Sequence, residues 1–409
     1  MKFLLVLKLA VHSLKHRRLT VSLVILSVAF SVALLLGIDR LRADTRDSFT
    51  NTLSGTSLIV GARTGSLNLL LYSVFRIGDA TNNISWQSYQ ELAQRPEIDW
   101  TVPLSLGDAH RGFRVLGTNN DYFSHYQYAD HQALQLTQGR LFETDGDVVL
   151  GSQVADALGY KTGDEIIVSH GLVDTDFNKH QNHPFKVVGI LAATGTPVDK
   201  TVHVPLGGIT AMHRGYFAPT PGTDPATAIT AFLVGLKSPI QTFSVQRAIN
   251  EYRAEPLLAI IPGVTLQQLW QLMSLAENAF YAISLAMIAV GLFGLMTMLL
   301  TGMNERRREM AILRALGARP WQLFLLLMLE SGLIGLLALI TGAVFLVFFV
   351  VATAPVMQSQ FGIQVHISWP SMLVTKALAG YCLIALVLGL IPGWKAYRQS
   401  LADGLTVKI

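Results

Sequence analysis

The chain has 409 residues, 51% of them hydrophobic and only 14% charged, with a formal net charge of +4 and a mean hydropathy of +0.42. A soluble globular chain carries about 25% charged residues, so this deficit points to membrane spans and excludes an ordinary soluble domain. The positive surplus is a topological bias of the loops and does not indicate nucleic-acid binding.

Taken in order, residues 1–18 mix apolar side chains with Lys8, His12 and Lys15, which suits a helix lying in the membrane interface. The apolar run from Leu19 is too long for a cleaved signal peptide and no small-residue cleavage site follows it. A retained first span over 19–38 is expected. Three further apolar runs approach or exceed the roughly 20 residues a bilayer requires, giving spans over 276–302, 321–351 and 373–392. Lys and Arg crowd the N-terminal flank, the 303–320 segment and the 393–409 tail, whereas the short loop within 352–372 has none between Ala352 and Ser371. The positive-inside rule then places both termini and the 303–320 segment in the cytoplasm. Residues 39–275 lie outside, enough for one or two compact lobes.

That external stretch reads as mixed α/β. Strands are expected at Ser57–Gly61, Thr101–Leu106, Phe113–Leu116, Asp147–Leu150, Glu165–Ser169, Lys186–Leu191, Thr201–Val204, Ile229–Leu236 and Leu257–Ile261. Ser85 suits the N-cap of a helix through Arg95, a short helix ends near Gly159, and Pro239–Arg253 suits another helix. The run from Leu67 to Ile77 is unusually apolar but too short to span. It reads as a buried core helix, or as an apolar element at a membrane-facing rim. From Thr265 a helical pattern runs towards the second span. Cys382, the single cysteine, falls in the fourth span, so the external domain holds its fold without disulfides.

The most informative stretch is Met303–Pro320, MNERRREMAILRALGARP. Glu305, Arg306, Arg307, Arg308, Glu309, Arg314 and Arg319 crowd a chain otherwise poor in charge. Glu305 and Arg308 are helical neighbours that support a helix, while Glu305 and Glu309 oppose it. Met310, Leu313 and Leu316 form an apolar ridge, Gly317 fits a C-cap and Pro320 stops the continuation. A basic loop alone would satisfy the charge rule. A capped amphipathic helix between two spans suggests a lever for a cytoplasmic partner. Within the spans, Gly291, Gly294, Gly332 and Gly335 allow close helix packing. Glu330 lies inside the third, where it is expected to snorkel or meet an arginine of 303–320.

The order Glu305-Arg306-x-Arg308-Glu309, then Leu313-Arg314-Ala315-x-Gly317-Ala318, resembles the coupling segment of permeases of the MacB/FtsX/LolC group, the type VII or mechanotransmission ABC transporters. Met310 and Ala311 stand where that family usually has Ile and Gly. The external stretch resembles the family's periplasmic core domain at Gly139-Arg140-x-Phe142, Val148-Val149-Leu150-Gly151, Leu158-Gly159, Gly163-Asp164, Val187-Val188-Gly189-Ile190 and Val204-Pro205-Leu206. The closing motif is matched less well, with Leu401 and Gly404 replacing Pro and Ala. The resemblance implies an α-helical membrane protein with four transmembrane helices plus a large extracytoplasmic α/β domain of the MacB type. It implies a multi-pass permease of the bacterial cytoplasmic (inner) membrane, with a periplasmic domain, a second permease copy and a cytoplasmic ABC ATPase as partners. Glu305, Arg306, Arg308, Glu309, Leu313, Arg314 and Gly317 would carry the ATPase contact.

The chain has no G-x-x-x-x-G-K-[ST], H-E-x-x-H, G-x-S-x-G or Cys-x-x-Cys motif. ATP and Mg would therefore belong to the partner ATPase, and the chain is not expected to be an enzyme by itself. Of eleven histidines, five lie between His170 and His213, namely His170, His180, His183, His203 and His213, with Asp174, Asp176 and Asp199 among them. Imidazole and carboxylate suit zinc, although the spacing matches no closed site. The plainer reading is a polar, solvated loop. The stretch Val60–Ile84 also resembles a branch of the family associated with bacterial zinc uptake. Three roles stay open: export or envelope extraction with a periplasmic adaptor or lipoprotein, metal uptake with a metal-binding protein, and FtsX-like signalling to a cell-wall hydrolase.

Overall fold

Apolar residues recur with period two in one part of the chain and fill whole helices in another, and these parts form separate units in the computed structural model. It describes residues 10, 12–14, 17–50, 52–129, 131–170, 184–213, 228–315, 317–356 and 369–398. The described residues within 45–273 make a mixed α/β unit, and those up to 44, in 274–355 and in 369–398 make a helical unit.

In the α/β unit the principal strands are β1 (Leu58–Ala62), β2 (Ile98–His110), β3 (Phe113–Thr118), β4 (Leu136–Gly139), β5 (Asp147–Leu150), β6 (Phe185–Leu191), β7 (Thr201–Pro205), β8 (Ala231–Leu236) and β9 (Leu257–Ile260). They pair in the order β9-β1-β8-β2-β3-β7-β5-β6-β4. The β3–β7 and β5–β6 pairs are parallel, and the other pairs along this path are antiparallel. Strand β2 serves both halves of the sheet. Its first part, through Leu104, pairs with β8, and Ser105 onward pairs with β3. The register shifts between Leu106 and Ala109, and Gly107 there has φ 149°, which a glycine accepts without a side-chain clash.

Alternation along the strands sorts side chains between two faces. Leu58, Val60, Phe232 and Val234 enter one core beside helices Trp86–Ala93 and Thr242–Asn250. Val115, Val148, Leu150, Val187, Val202 and Val204 enter another, with Val154 of helix Ser152–Leu158 and Ile209 of Leu206–His213. The intervening residues Ile59, Leu233, Leu116, Val149 and Val188 share the opposite core, capped by Leu69, Leu70 and Tyr72 of helix Ser66–Ser73 and by Tyr122 and Phe123. Full burial of each large apolar side chain contributes about 1.5–3 kcal/mol. The apolar run from Leu67 therefore supplies a core helix, with Leu69, Leu70 and Tyr72 buried and Ile77 exposed at its end.

The expected strands and caps hold in place, with adjusted ends. Ser85 accepts from the Ser88 N–H at 3.2 Å and caps Trp86–Ala93. Gly159 closes Ser152–Leu158 at φ 71°. The expected strand Glu165–Ser169 is interrupted, leaving Glu165–Ile166 and Ser169–His170 pairing with different neighbours. In the Gly139-Arg140-x-Phe142 motif, Gly139 has φ 81° and a Cβ there would lie 1.9 Å from the Val188 carbonyl oxygen. Arg140 meets Asp147 at 2.7 Å, and Phe142 joins the shared core. Burial pushes the Asp147 carboxyl up, but hydrogen bonds from Arg140, the Glu143 and Thr144 N–H groups and the Thr144 hydroxyl outweigh it and hold the group at about 2.

The helical unit contains parts of Arg18–Thr50 and Pro262–Ala315, then Pro320–Val356, Met372–Leu388 and Leu390–Arg398. The first helix continues past the expected end at residue 38, and the second begins well before residue 276. Four helices are long and apolar enough to cross a membrane, over Arg18–Arg46, Pro262–Thr301, Trp321–Ala354 and Met372–Trp394. Their mutual core contains Val28, Val32, Leu35, Ile288, Ala338 and Tyr381 in one cluster, and Val21, Leu295, Met298 and Ile334 in a second. Phe30, Phe293, Phe348 and Leu383 point outward and exposed, as a lipid solvent requires. The expected interfacial helix at 1–18 falls largely outside the described residues, of which 12–14 are helical.

Candidate functional site

Residues 303–315 continue the helix Pro262–Ala315, so Glu305, Arg306, Arg308 and Glu309 lie on consecutive turns of an unbroken helix. Its end is closed by local chemistry. The Ala318 N–H donates to the Leu313 carbonyl at 2.9 Å and the Gly317 N–H to Arg314 at 3.0 Å, with Gly317 at φ 92°. This pair of bonds is a Schellman cap. Pro320 then opens the next helix, where its missing N–H costs nothing. The Arg319 N–H donates to Gln322 Oε1 at 2.9 Å, which satisfies a second terminus from within the same corner. Leu313 packs on Leu323 and Leu327 across the turn. The structure thus brings the expected capped basic helix and the following span together at one tight corner.

The glycines in the bundle divide. A Cβ at Gly291 would meet Val28 at 2.5 Å, one at Gly335 would meet Ala385 at 3.0 Å, and one at Gly332 would touch Leu386 at 3.4 Å. Nothing lies within 4 Å of such an atom at Gly294, so within this chain that residue makes no close helix contact. Gly342, not expected from sequence, faces backbone: its Cβ would lie 2.7 Å from the Ala29 carbonyl oxygen. Glu330 is 2% exposed, so it sits inside the bundle and does not snorkel outward.

A polar junction also went unread in the sequence. Asp39, 8% exposed, accepts from the Ser371 N–H at 2.7 Å, the Ser371 hydroxyl at 2.6 Å and the Tyr281 hydroxyl at 3.0 Å. One carboxylate thereby ties three helices at the end of the bundle away from the 303–320 corner. Arg42 and Glu277 add an ion pair at 2.9 Å between two of them. A hint was present, because Asp39 directly follows the apolar run ending at Ile38.

Of the histidine cluster, His180, His183, Asp174 and Asp176 lie outside the described residues. His170 lies in a short strand opposite Asp108. Among the described residues no three His, Cys, Asp or Glu side chains gather as a metal site. Asp199 is occupied with the Thr194 and Gly195 N–H groups, both at 2.8 Å. His203 is fully buried against Tyr122 and Phe123, on the face opposite Val202 and Val204. Its Nδ1 donates to the Val149 carbonyl at 3.2 Å, since a carbonyl only accepts, and its Nε2 has no hydrogen-bond partner.

Burial first, and then the charge of Arg76, push His203 down to about 3. In the unfolded chain it titrates near 6.5, so below that pH protons favour unfolding. The His203 contribution should be intact above pH 6.5 and fall through the window down to about 3, a loss of about 2 kcal/mol by pH 5. Thermal unfolding of the wild type and His203→Asn at pH 7 and pH 5 checks this. The variant should lose less stability between the two pH values, and equal losses would refute the assignment.

Two family profiles together match most of the chain, the first of them covering the opening spanning helix as well as most of the α/β unit. The profile of the MacB-like periplasmic core domain matches residues 19–252, and that of the FtsX-like permease C-terminal domain matches residues 281–401. A search of curated proteins finds no match. The periplasmic region of MacB from Actinobacillus actinomycetemcomitans is similar at 13% identity with a TM-score of 0.36, covering 53% of this chain and 94% of that one. The extracellular domain of the noncanonic ABC-type transporter YknZ from Gram-positive bacteria is similar at 16% identity with a TM-score of 0.31, covering 50% of this chain and 99% of that one.

Proposed function

The chain belongs to the MacB/FtsX family of ABC transporter permeases, and from that premise we propose that it is a subunit coupling a separate cytoplasmic ATPase to movement of its extracytoplasmic domain, for export or envelope extraction of a substrate. The observation that carries this reading is the closed basic corner at 303–320, where a helix rich in Glu and Arg ends in a Schellman cap and the next span begins at once. A Glu- and Arg-rich sequence at a corner whose Gly317 and Ala318 N–H groups are already bonded suits contact with a charged partner. Two permease copies would pair with two ATPases, and ATP-driven closure of the ATPases would displace residues 304–317. The substrate would be handled by the α/β units or their periplasmic partners and need not cross the bilayer.

This reading requires the corner and both termini to face the cytoplasm, in the bacterial inner membrane. A single cysteine in place of Asn119, in a chain with Cys382→Ser, should react with an impermeant thiol reagent in whole cells with a permeable outer membrane. One in place of Arg307 should react only after lysis. The reverse labelling would overturn the orientation and, with it, the ATPase contact.

A further inference from the structure

The α/β unit contains a cavity of about 90 Å³ whose wall includes Tyr72, Arg76, Gly78, Asp79, Arg114 and Thr230. Two guanidinium groups thus share a small space with one carboxylate. That carboxylate is a poor counter-charge. Asp79 meets Arg114 Nη1 at 2.8 Å, but its side chain is 74% exposed, so water screens the pair. The second Arg114 nitrogen donates only to the Gly78 carbonyl, at 3.2 Å.

Arg76 is more isolated in charge. It donates to the Ser73 carbonyl and, at 3.4 Å, to the Tyr122 hydroxyl, both neutral groups. Its Nε is buried with no hydrogen-bond partner. Among the described residues it makes no ion pair. A guanidinium cannot shed its proton to escape this situation. Its backbone is also held in the left-handed region at φ 61°, which a side chain with a Cβ adopts only when its surroundings impose it. The cavity therefore has a fixed, under-compensated positive charge in its wall, beside the Arg114 guanidinium, the screened Asp79 carboxylate and the Asn83 amide.

We propose that this cavity binds the oxyanion of a small molecule, a carboxylate or a phosphate, through Arg76 and Arg114. Planar guanidinium forks match both groups geometrically. The volume limits the ligand: a cavity of about 150 Å³ takes a benzene ring, so this one admits a single anionic group and leaves any larger body outside. Gly78 and Asp79 are exposed at the rim, which leaves an entrance there. Asp79 would compete with the ligand for Arg114. The site is independent of the ATPase contact at 303–320, and a negative result here leaves that contact standing.

The test is calorimetric titration of the full chain in detergent at low ionic strength with inorganic phosphate, acetate and glycerol 3-phosphate. The wild type should bind phosphate or acetate saturably. Arg76→Gln and Arg114→Gln should each weaken binding at least about tenfold, and Asp79→Asn should tighten it severalfold by removing the competing carboxylate. Preference for phosphate over acetate identifies a tetrahedral ligand and the reverse a planar one. Tighter binding of glycerol 3-phosphate than of phosphate identifies the end of a larger molecule. No saturable binding by either the wild type or Asp79→Asn overturns the site, as does binding unchanged in Arg76→Gln. Should the arginine variants misfold by circular dichroism, the exposed Asp79→Asn decides, and failure to tighten overturns the proposal.

Discussion

If the proposed ATPase contact lies at the 303–320 corner, replacing Glu305 and Arg308 together with alanine should leave the protein inserted in the membrane and weaken that association by well over tenfold. Both residues lie on the continuous helix ending at Ala315, and alanine keeps that helix intact. The expected loss comes from the interface alone. Truncating one partner of a buried, hydrogen-bonded charge pair costs roughly 2–5 kcal/mol, and each 1.4 kcal/mol is about tenfold in affinity. Co-purification of the ATPase should therefore fall by well over tenfold, and permease-stimulated ATP hydrolysis should fall with it. Unchanged association and unchanged stimulation in a correctly inserted double variant would remove these residues from the contact.

The second large effect is expected at Gly139. An alanine there would push its Cβ to 1.9 Å from the Val188 carbonyl oxygen and 2.9 Å from Gly189 Cα. Both are backbone atoms of the adjoining strand, so no side chain can swing away. The left-handed φ of 81° adds strain of its own. Together these should cost about 3–5 kcal/mol, or roughly 10 °C in the unfolding temperature of a unit this size. Gly159 provides the control. It is also left-handed, at φ 71°, but a Cβ there meets nothing within 4 Å. Gly159→Ala should cost only about 1–2 kcal/mol. Equal losses in the two variants, measured by thermal unfolding of the full chain in detergent, would show that crowding at Gly139 is not what matters.

Much of this architecture is legible in the sequence, because a bilayer and a two-sided sheet each impose a pattern that survives without an alignment. Leu323–Val351 reads as a span from length alone, and Thr201–Val204 reads as a strand, which the structure shows buried on both faces. The corner at 303–320 is legible for a different reason: Gly317 and Pro320 act on their own neighbours, so the cap is written locally. What escapes depends on distance. Asp39 finds Ser371 across 332 positions, and no local pattern announces that meeting. Strand β4 was missed because Leu136–Gly139 is an edge strand whose last three residues are exposed, and exposure erases the alternation that would reveal it. Gly294 and Gly342 show the same limit, since a glycine's spacing says that a close approach is possible and only the packing says where it happens. His203 sat in plain view between Val202 and Val204, where period two assigns it to the opposite buried face. Clustering with other histidines along the chain drew attention to zinc when strand geometry already argued for the core.

The corner between the second and third spanning helices has a mechanical consequence. A flexible turn would absorb an applied displacement by rotating its own dihedrals. Here the Schellman bonds hold Leu313 and Arg314 to Ala318 and Gly317, Gln322 holds the start of the next helix, and Leu313 is wedged on Leu323 and Leu327. Few torsions are left unheld among the described residues of the bend. Under the coupling role proposed above, a torque on one arm would pass to the other as rotation of a stiff elbow, with little work lost to bending the joint.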